Sequence, residues 1–390
     1  MLEAFEYFQR RLRDFIPVDD GAELASFLDR MSKALLFMEI RVGDEQSAHT
    51  VFETLNATAL ALAPTDLVKN YLFSLAASNS NDHDVDSASE IWSRIAGSVR
   101  DADFPLASKK PYVLRERLFR TIRAEVQKRD QVFPFLEALD DAASVYQAID
   151  NPHDDLWRDY PGATEVLRVL KLFRVTQFRP LALSACRQLK PVELVKVLRM
   201  VLVVSMPFNV IGRKGAHGLE QVYNKAAMAV DGGKCTSARQ VMTYLRDVYV
   251  SDKEFKDTFR YATFEERKQR KLATYILLRL EQQHTGKTVP DFETGGVTLE
   301  HILPESPGDG WESFDEKDRQ KYTYYLGNLT LLDAKTNRLA GNQGIDDKIE
   351  VYGLSQFALT RDVNKPVWTP ASIEQRQDQL AKLATAAWRI

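Results

Sequence analysis

The chain has 390 residues, which exceeds the usual size of a single domain and predicts two or three domains. Hydrophobic residues make up 44% of it and charged residues 27%, a balance typical of an ordinary soluble globular protein. The formal net charge of −3 argues against a uniformly basic nucleic-acid coat protein, so any DNA contact must use a local basic patch.

The cysteine content and the most apolar run indicate a cytoplasmic protein without a membrane span. Cys186 and Cys235 belong to no C-x-x-C motif and have no histidine at zinc-finger spacing, so no structural zinc site is predicted. Sparse cysteine fits a reducing cytoplasm. The run Val192 to Met206 is interrupted by Lys196 and Arg199 and is too short to cross a bilayer, so it predicts a buried helix.

The first 100 residues are predicted to be mostly helical. Apolar residues at helical spacing predict two helices between Met1 and Leu36, separated at Pro17 and Gly21. The run from Asn79 to Ser89 is polar and acidic, which predicts a solvated loop, and helical spacing resumes at Ala88.

A long series of helices follows, with prolines near several helix ends and no fixed repeat period that would predict a regular solenoid. The predicted helices are Tyr112 to Lys128, Phe133 to Asp150, Gly162 to Phe173, Leu181 to Leu189, Val192 to Ser205, Leu219 to Val230, Ala238 to Tyr249 and Phe264 to Gln283.

The last of these helices is basic at its start. Arg267, Lys268, Arg270 and Lys271 would form a strip of positive charge that can hold a phosphate backbone. The alternative is a solvated helix face that contacts nothing.

After a Gly- and Thr-rich boundary at Thr285 to Gly296, the pattern changes. The run V-T-L-E-H-I-L-P, ending at Pro304, predicts a short strand, and Asn328 to Leu332 predicts a second one. Asp333 is a good N-cap for a short helix that carries Asn337. Strand, excursion, strand and helix make a ββα unit.

This unit resembles the ββα-metal endonucleases, or HNH family, whose first strand ends in an acidic residue, His, an apolar residue, any residue and Pro. Here these are Glu300, His301, Ile302, Leu303 and Pro304. The branch it resembles most is the nuclease domain of modification-dependent restriction and phage-defence proteins of the GmrSD and SspE type. Their later motifs, L-G-N-L-T-L-L, N-x-x-L-x-N, a Lys and closing Trp residues, correspond to Leu326 to Leu332, Asn337 to Asn342, Lys348, Trp368 and Trp388.

The resemblance implies roles for four residues. His301 would be the general base that deprotonates a water, and Asn328 would take the middle, structural place in the motif. Glu300 and Asn337 would hold one Mg²⁺ or Mn²⁺, since such cations prefer oxygen ligands and can stabilise charge on the leaving oxygen. The Glu at the first position and the Asn in place of a final His depart from the commoner motif. The alternative is that these side chains only hydrogen-bond a hairpin.

The same resemblance implies a metal-dependent DNA endonuclease that nicks or cuts duplex DNA in a bacterial anti-phage or restriction system. The alternative is an inactive helical scaffold that binds DNA or protein. The predicted DNA contacts, together with the basic strip, give the set Arg267, Lys268, Arg270, Lys271, Arg338, Asn342 and Lys348.

The segment His49 to Ala76 resembles the one that follows the sensor or NTPase half of these defence proteins, but the D-G-Q-Q-R motif of that half has no counterpart here. We therefore expect a C-terminal fragment or shortened relative whose sensor is a missing domain or a partner. The predicted fold is mainly α, with a helical remnant at residues 1–100, a helical domain at 101–285 and an HNH nuclease domain at 286–390.

Overall fold

A computed structural model describes residues 2–16, 21–35, 64–77, 82–99, 118–265 and 269–389. The chain divides into two compact units, Met1–Leu62 and Ala63–Ile390. In the first unit, the described residues form helices α1 (Leu2–Phe15) and α2 (Gly21–Ala34), which confirms the two predicted helices.

The second unit begins with helices that enclose their own apolar core, which includes Leu72, Ile95 and Leu136. The helix at 82–98 corrects the prediction of a loop from Asn79 to Ser89. Its aspartates favour the start of a helix because they complement the positive end of the helix dipole, an effect that a count of polar residues overlooks. The helices are α3 (Pro64–Ala77), α4 (Asp82–Ser98), α5 (Leu118–Glu125) and α6 (Val132–Asp150).

The next seven helices in the described chain share a larger core with residues further on. They are α7 (Ala163–Phe173), α8 (Arg179–Gln188), α9 (Pro191–Ser205), α10 (Ala216–Asp231), α11 (Ala238–Leu245), α12 (Asp252–Phe259) and α13 (Arg270–Thr285). The segment Pro191–Ile211, which contains α9, is long and apolar enough to cross a membrane, which corrects the prediction that this run is too short. Its most apolar stretch of 18 residues is 56% buried inside the protein, in agreement with the predicted buried helix.

The two predicted strands form an antiparallel pair within the described chain. Strand β1 (Val297–His301) pairs with β2 (Leu329–Asp333), with Leu299 opposite Leu331 and Val297 opposite Asp333. The excursion between them contains α14 (Glu316–Tyr322) and a short 3₁₀ turn (Leu326–Asn328), and β2 leads into α15 (Ala334–Ala340), α16 (Ile345–Gly353), α17 (Ala358–Arg361) and α18 (Pro370–Ala387). The fold is mainly α, as predicted.

Capping side chains explain where two of these helices begin. The Asp333 carboxylate accepts hydrogen bonds from the backbone N–H groups of Lys335 and Thr336, and Thr369 caps α18 in front of Pro370. The Asp333 cap was predicted. It fixes α15 directly at the end of β2, which places Asn337 next to the strand pair.

Helix α13 joins the helical part to the strand pair. It packs on α7 as well as on both strands and α18, and its residue Leu277 belongs to the same core as Leu329 of β2 and Leu380 of α18. A second core in the C-terminal region contains Trp311 and Trp368. The predicted division at 100 and 285 stays a prediction.

Candidate functional site

Glu300 and His301 are adjacent on β1, so their side chains lie on opposite faces of the strand pair. Glu300 pairs with Thr330 and His301 with Leu329. Glu300 is only 5% exposed, whereas the His301 side chain keeps 15% of its surface accessible. The two residues predicted to act together therefore occupy different environments.

The Glu300 carboxylate of β1 forms a buried polar cluster with two side chains of α16. The Lys348 ammonium donates to Glu300 Oε1 at 2.6 Å and to the carbonyl oxygen of His301 at 2.7 Å, and the Tyr352 hydroxyl donates to the same Oε1 at 3.0 Å. Burial raises the pKa of Glu300 and lowers the pKa of Lys348, and in each case the attraction of the other charge opposes the shift. The charges of Glu300 and Lys348 thus offset each other's cost of burial.

This cluster does not fit the predicted role of Glu300 as a metal ligand. A divalent cation on the Glu300 carboxylate would lie close to the Lys348 ammonium, which is fully buried and has no solvent to screen the repulsion. One of the two carboxylate oxygens, Oε1, already accepts two hydrogen bonds. In this arrangement Glu300 holds Lys348 and Tyr352.

His301 faces a different set of groups. Its Nε2 lies 3.6 Å from Glu305 Oε1, which Arg270 also contacts at 3.0 Å, and its ring packs edge-on against Tyr324 with 5.8 Å between centroids. Burial lowers the pKa of His301 to about 4, and the positive charge of Arg270 adds to that while Glu305 opposes it. The imidazole is therefore neutral near pH 7 and can accept a proton.

Asn328 fixes the chain that follows His301. Its side-chain oxygen accepts the Leu303 N–H at 2.8 Å, and its amide nitrogen donates to the carbonyl oxygens of Leu303 at 3.0 Å and Thr323 at 2.9 Å. The backbone carbonyl of Asn328 accepts the Ile302 N–H. With every polar group of its buried side chain engaged, Asn328 holds the site together and does not face a substrate.

Asn337 joins α15 to β1. Its amide nitrogen donates to Thr298 Oγ1 at 2.9 Å and to the Leu299 carbonyl at 3.2 Å. The amide oxygen accepts no hydrogen bond from the described residues, so it is available to a ligand. Glu305, whose side chain is 42% exposed, is the accessible carboxylate beside His301.

The match to a known family covers this site. Residues 249–383 match the model for the C-terminal domain of the GmrSD restriction endonucleases. This region is a GmrSD-type C-terminal domain. No curated protein matches the chain. The matched region contains both strands, α13 and most of α18, and it spans about a third of the chain.

Six of the seven predicted DNA contacts of the GmrSD-type domain fall into three groups. Arg338 and Asn342 are exposed, as a phosphate contact requires. Arg270 and Lys271 are paired with Glu305 and Glu293, which neutralises much of their charge. Arg267 and Lys268 lie outside the described residues.

Lys348 is a correction. It was predicted to contact DNA, but its side chain has 0% exposure and both of its partners are inside the protein. A flexible, charged lysine is usually on the surface, and only the burial of Glu300 on the neighbouring strand explains why this one is not.

Three side chains of the GmrSD-type site were not predicted. Glu305 follows Pro304 directly, and its position next to the motif was the available signal. Tyr324 and Arg376 gave none. The Arg376 guanidinium is buried and donates to the carbonyl oxygens of Gly327, Leu329 and Leu359. It therefore connects α18 to the start of β2.

Proposed function

We propose that this protein is a DNA endonuclease of a restriction system, with His301 as its general base. Membership of residues 249–383 in the GmrSD C-terminal domain family supports a nuclease with DNA as its substrate. The observation that carries the proposal for His301 is its neutral, partly accessible imidazole at the end of β1, beside an exposed carboxylate.

The chemistry assigned to His301 is removal of a proton from water. As the water oxygen forms a bond to phosphorus, the imidazole takes the proton, the bond from phosphorus to the leaving oxygen breaks, and that oxygen takes a proton from solvent. The imidazolium that forms lies near Glu305, whose negative charge stabilises it. This is the role for which the ring has to be neutral beforehand.

Two buried side chains hold His301 in place for that step. Lys348 binds its backbone carbonyl, and Asn328 binds the backbone two residues later. General-base catalysis requires the base within hydrogen-bond reach of the proton it removes, so small displacements of β1 reduce the rate.

The requirement for Mg²⁺ or Mn²⁺ is also part of the proposal, and it rests on the HNH resemblance. Because Glu300 is buried and paired with Lys348, the accessible oxygen ligands for a cation are the partly exposed Glu305 carboxylate, which Arg270 also contacts, and the amide oxygen of Asn337. Membership of the HNH class, nicking as opposed to double-strand cutting, and a role in anti-phage defence are further proposals on the same resemblance.

Plasmid cleavage by the purified chain tests the proposal. His301→Ala should reduce cleavage by about 10² to 10⁴, the usual loss for a general base, and leave the fold intact. His284→Ala is the matched control. His284 is a partly exposed histidine in the last turn of α13, at the opposite end from Arg270, and it is paired with Asp362. Equal cleavage by wild type and His301→Ala would refute the assignment.

The alternative function is DNA binding without cleavage. The pairing of Glu300 with Lys348 favours it, because it removes the carboxylate that the HNH pattern assigns to the metal. DNA binding with no cleavage in Mg²⁺ or Mn²⁺ would establish this alternative.

A further inference from the structure

A cavity of about 510 Å³ lies away from the strand pair, among α7, α9, the C-terminal half of α13, the segment 288–292 and the end of α18. Arg270, which contacts Glu305 beside His301, is at the first turn of α13, and the cavity residue Arg279 is nine positions later. At 1.5 Å per residue these positions are ~14 Å apart along the helix, although Tyr275, which also lines the cavity, is nearer. No residue of the candidate nuclease site lines the cavity, so the two are distinct.

Aromatic side chains form one wall of this cavity. Tyr275 and Phe292 pack edge-to-face with 5.5 Å between ring centroids, and Trp388 lies on the same wall. Stacking surfaces of this kind bind planar rings of any base or aromatic ligand, because every such ring has a π face.

The aromatic wall is held in place before any ligand arrives. Arg168 of α7 binds Asp291 at 2.8 Å and Glu293 at 2.7 Å, and its guanidinium lies 5.0 Å from the centre of the Phe292 ring. These contacts fasten the segment that carries Phe292 to α7. A preformed wall lowers the entropy that binding costs.

Two arginines on the cavity have no carboxylate partner in the described part of the chain. Arg199 is exposed and makes neither a hydrogen bond nor an ion pair there. Arg279 donates to Gln282 Oε1 at 2.6 Å and to the Ala387 carbonyl at 3.4 Å. Of the two carboxylates that line the cavity, Asp291 is paired with Arg168, and Glu165 is exposed and has no ion pair within the described chain. Arg199 and Arg279 outnumber Glu165, so the unpaired charge of the cavity is positive.

We propose that this cavity binds a nucleoside phosphate, with its base against Tyr275 and Phe292 and its phosphate on Arg199 and Arg279. The volume lies in the range of small-molecule sites, roughly 300 to 1,000 Å³. Planar guanidinium groups match phosphate oxygens in pairs. The ligand is either a free mononucleotide or a single nucleotide of a nucleic acid strand, and both present the same base and phosphate.

Isothermal titration of the intact chain with AMP, GMP, dCMP and dTMP tests the proposal, with the corresponding nucleosides and inorganic phosphate as partial ligands. The titration is performed in EDTA, which removes the divalent cations proposed for cleavage, so that the DNA used in the second arm stays intact. At least one mononucleotide should bind more tightly than both its nucleoside and phosphate. Arg199→Gln should weaken that binding by about tenfold, the usual effect of one hydrogen bond to a charged group.

The matched control is Arg239→Gln, which removes an exposed arginine of α11 away from the cavity and should change nothing. Arg199 is itself exposed, so its loss does not threaten the fold, and Arg279→Gln is compared only after its thermal melt matches wild type. A second arm compares a perfect duplex with one that has a single extrahelical nucleotide.

Tighter binding of the bulged duplex, lost in Arg199→Gln while mononucleotides bind poorly, assigns the site to a strand nucleotide. Binding of mononucleotides with no preference for the bulge assigns it to a free ligand. If neither ligand binds, or if Arg199→Gln and Arg239→Gln behave alike, the proposal is wrong. None of these outcomes depends on cleavage, so the proposed nuclease activity is tested separately.

Discussion

The Lys348 ammonium bridges Glu300 Oε1 and the backbone carbonyl of His301, at 2.6 and 2.7 Å. One fully buried positive charge on α16 thus ties together the carboxylate on one face of β1 and the backbone of the histidine on the other. Its loss would leave Glu300 buried without a counter-charge. The consequences for stability and for His301 can be measured separately.

Lys348→Met should destabilise the protein by ~3 to 5 kcal/mol, the usual cost of breaking one side of a buried ion pair. Methionine fills a similar volume, so the change mainly removes the charge. Urea denaturation followed by circular dichroism measures it, and Lys382→Met, an exposed lysine of α18, is the control.

The double variant Glu300→Gln with Lys348→Met distinguishes charge from packing. Removing both charges should recover much of the stability lost by Lys348→Met alone, because no uncompensated carboxylate remains. Strictly additive losses would show that the two side chains do not interact as described.

The pKa of His301 predicts a pH dependence of stability. Burial lowers this pKa from 6.5 to about 4, so between these values the unfolded chain binds a proton that the folded chain excludes. Stability from this group is therefore fully present above pH 6.5 and is lost as the pH falls toward 4. Comparing the unfolding midpoints of wild type and His301→Gln across this range isolates the effect, because the carboxylates titrate in both proteins. A constant difference between the two would contradict the lowered pKa.

The elements predicted correctly are those with local signals. Asp333 begins a helix with a side chain that caps it, and short runs of apolar and β-branched residues predict β1 and β2. Such signals depend on residues only a few positions apart. The position of His301 at the end of a strand could therefore be predicted from sequence.

The environment of the site could not be predicted, because it depends on residues far apart in the chain. Lys348 reaches Glu300 across 48 positions, and Arg376 reaches Gly327 across 49. Neither pairing produces a periodic pattern in the sequence, and a single Lys is normally predicted to be on the surface. The cavity is hidden for the same reason, since Arg199, Arg279 and Trp388 meet only in the folded chain.

Asn328→Ala should reduce both stability and cleavage. It removes three hydrogen bonds from a side chain with no exposure and leaves buried backbone groups of Leu303 unsatisfied, which costs ~1 to 3 kcal/mol for each such group. Thermal melts and plasmid cleavage on the same samples test it, with the exposed Asn364→Ala as control. Full activity in a stable Asn328→Ala protein would mean that this residue does not position His301.

Arg338→Glu should weaken DNA binding equally for all sequences. Arg338 is exposed on α15, which packs on β1, and a phosphate contact carries no sequence information. In a salt titration, the slope of log affinity against log salt should become shallower by about 0.9, the change expected for the loss of one phosphate contact. Arg239→Glu in α11 makes the same charge change away from the strand pair. Equal losses in both variants would mean that only net charge matters.

Cleavage should require Mg²⁺ or Mn²⁺ and stop in EDTA, and the two carboxylates near His301 should then behave differently. Glu305→Gln removes an accessible donor whose side chain is 42% exposed, so it should lower cleavage and raise the metal concentration needed, with little change in melting temperature. Glu300→Gln alters a buried residue paired with Lys348, so its main effect should be on stability. Titrating each variant with Mn²⁺ and following both cleavage and thermal melting separates these effects. If Glu300→Gln instead shifts the metal requirement in a protein that melts like wild type, then Glu300 is the ligand. Lys348 must in that case leave its carboxylate when the cation binds. Full activity in EDTA would exclude the metal requirement for both carboxylates.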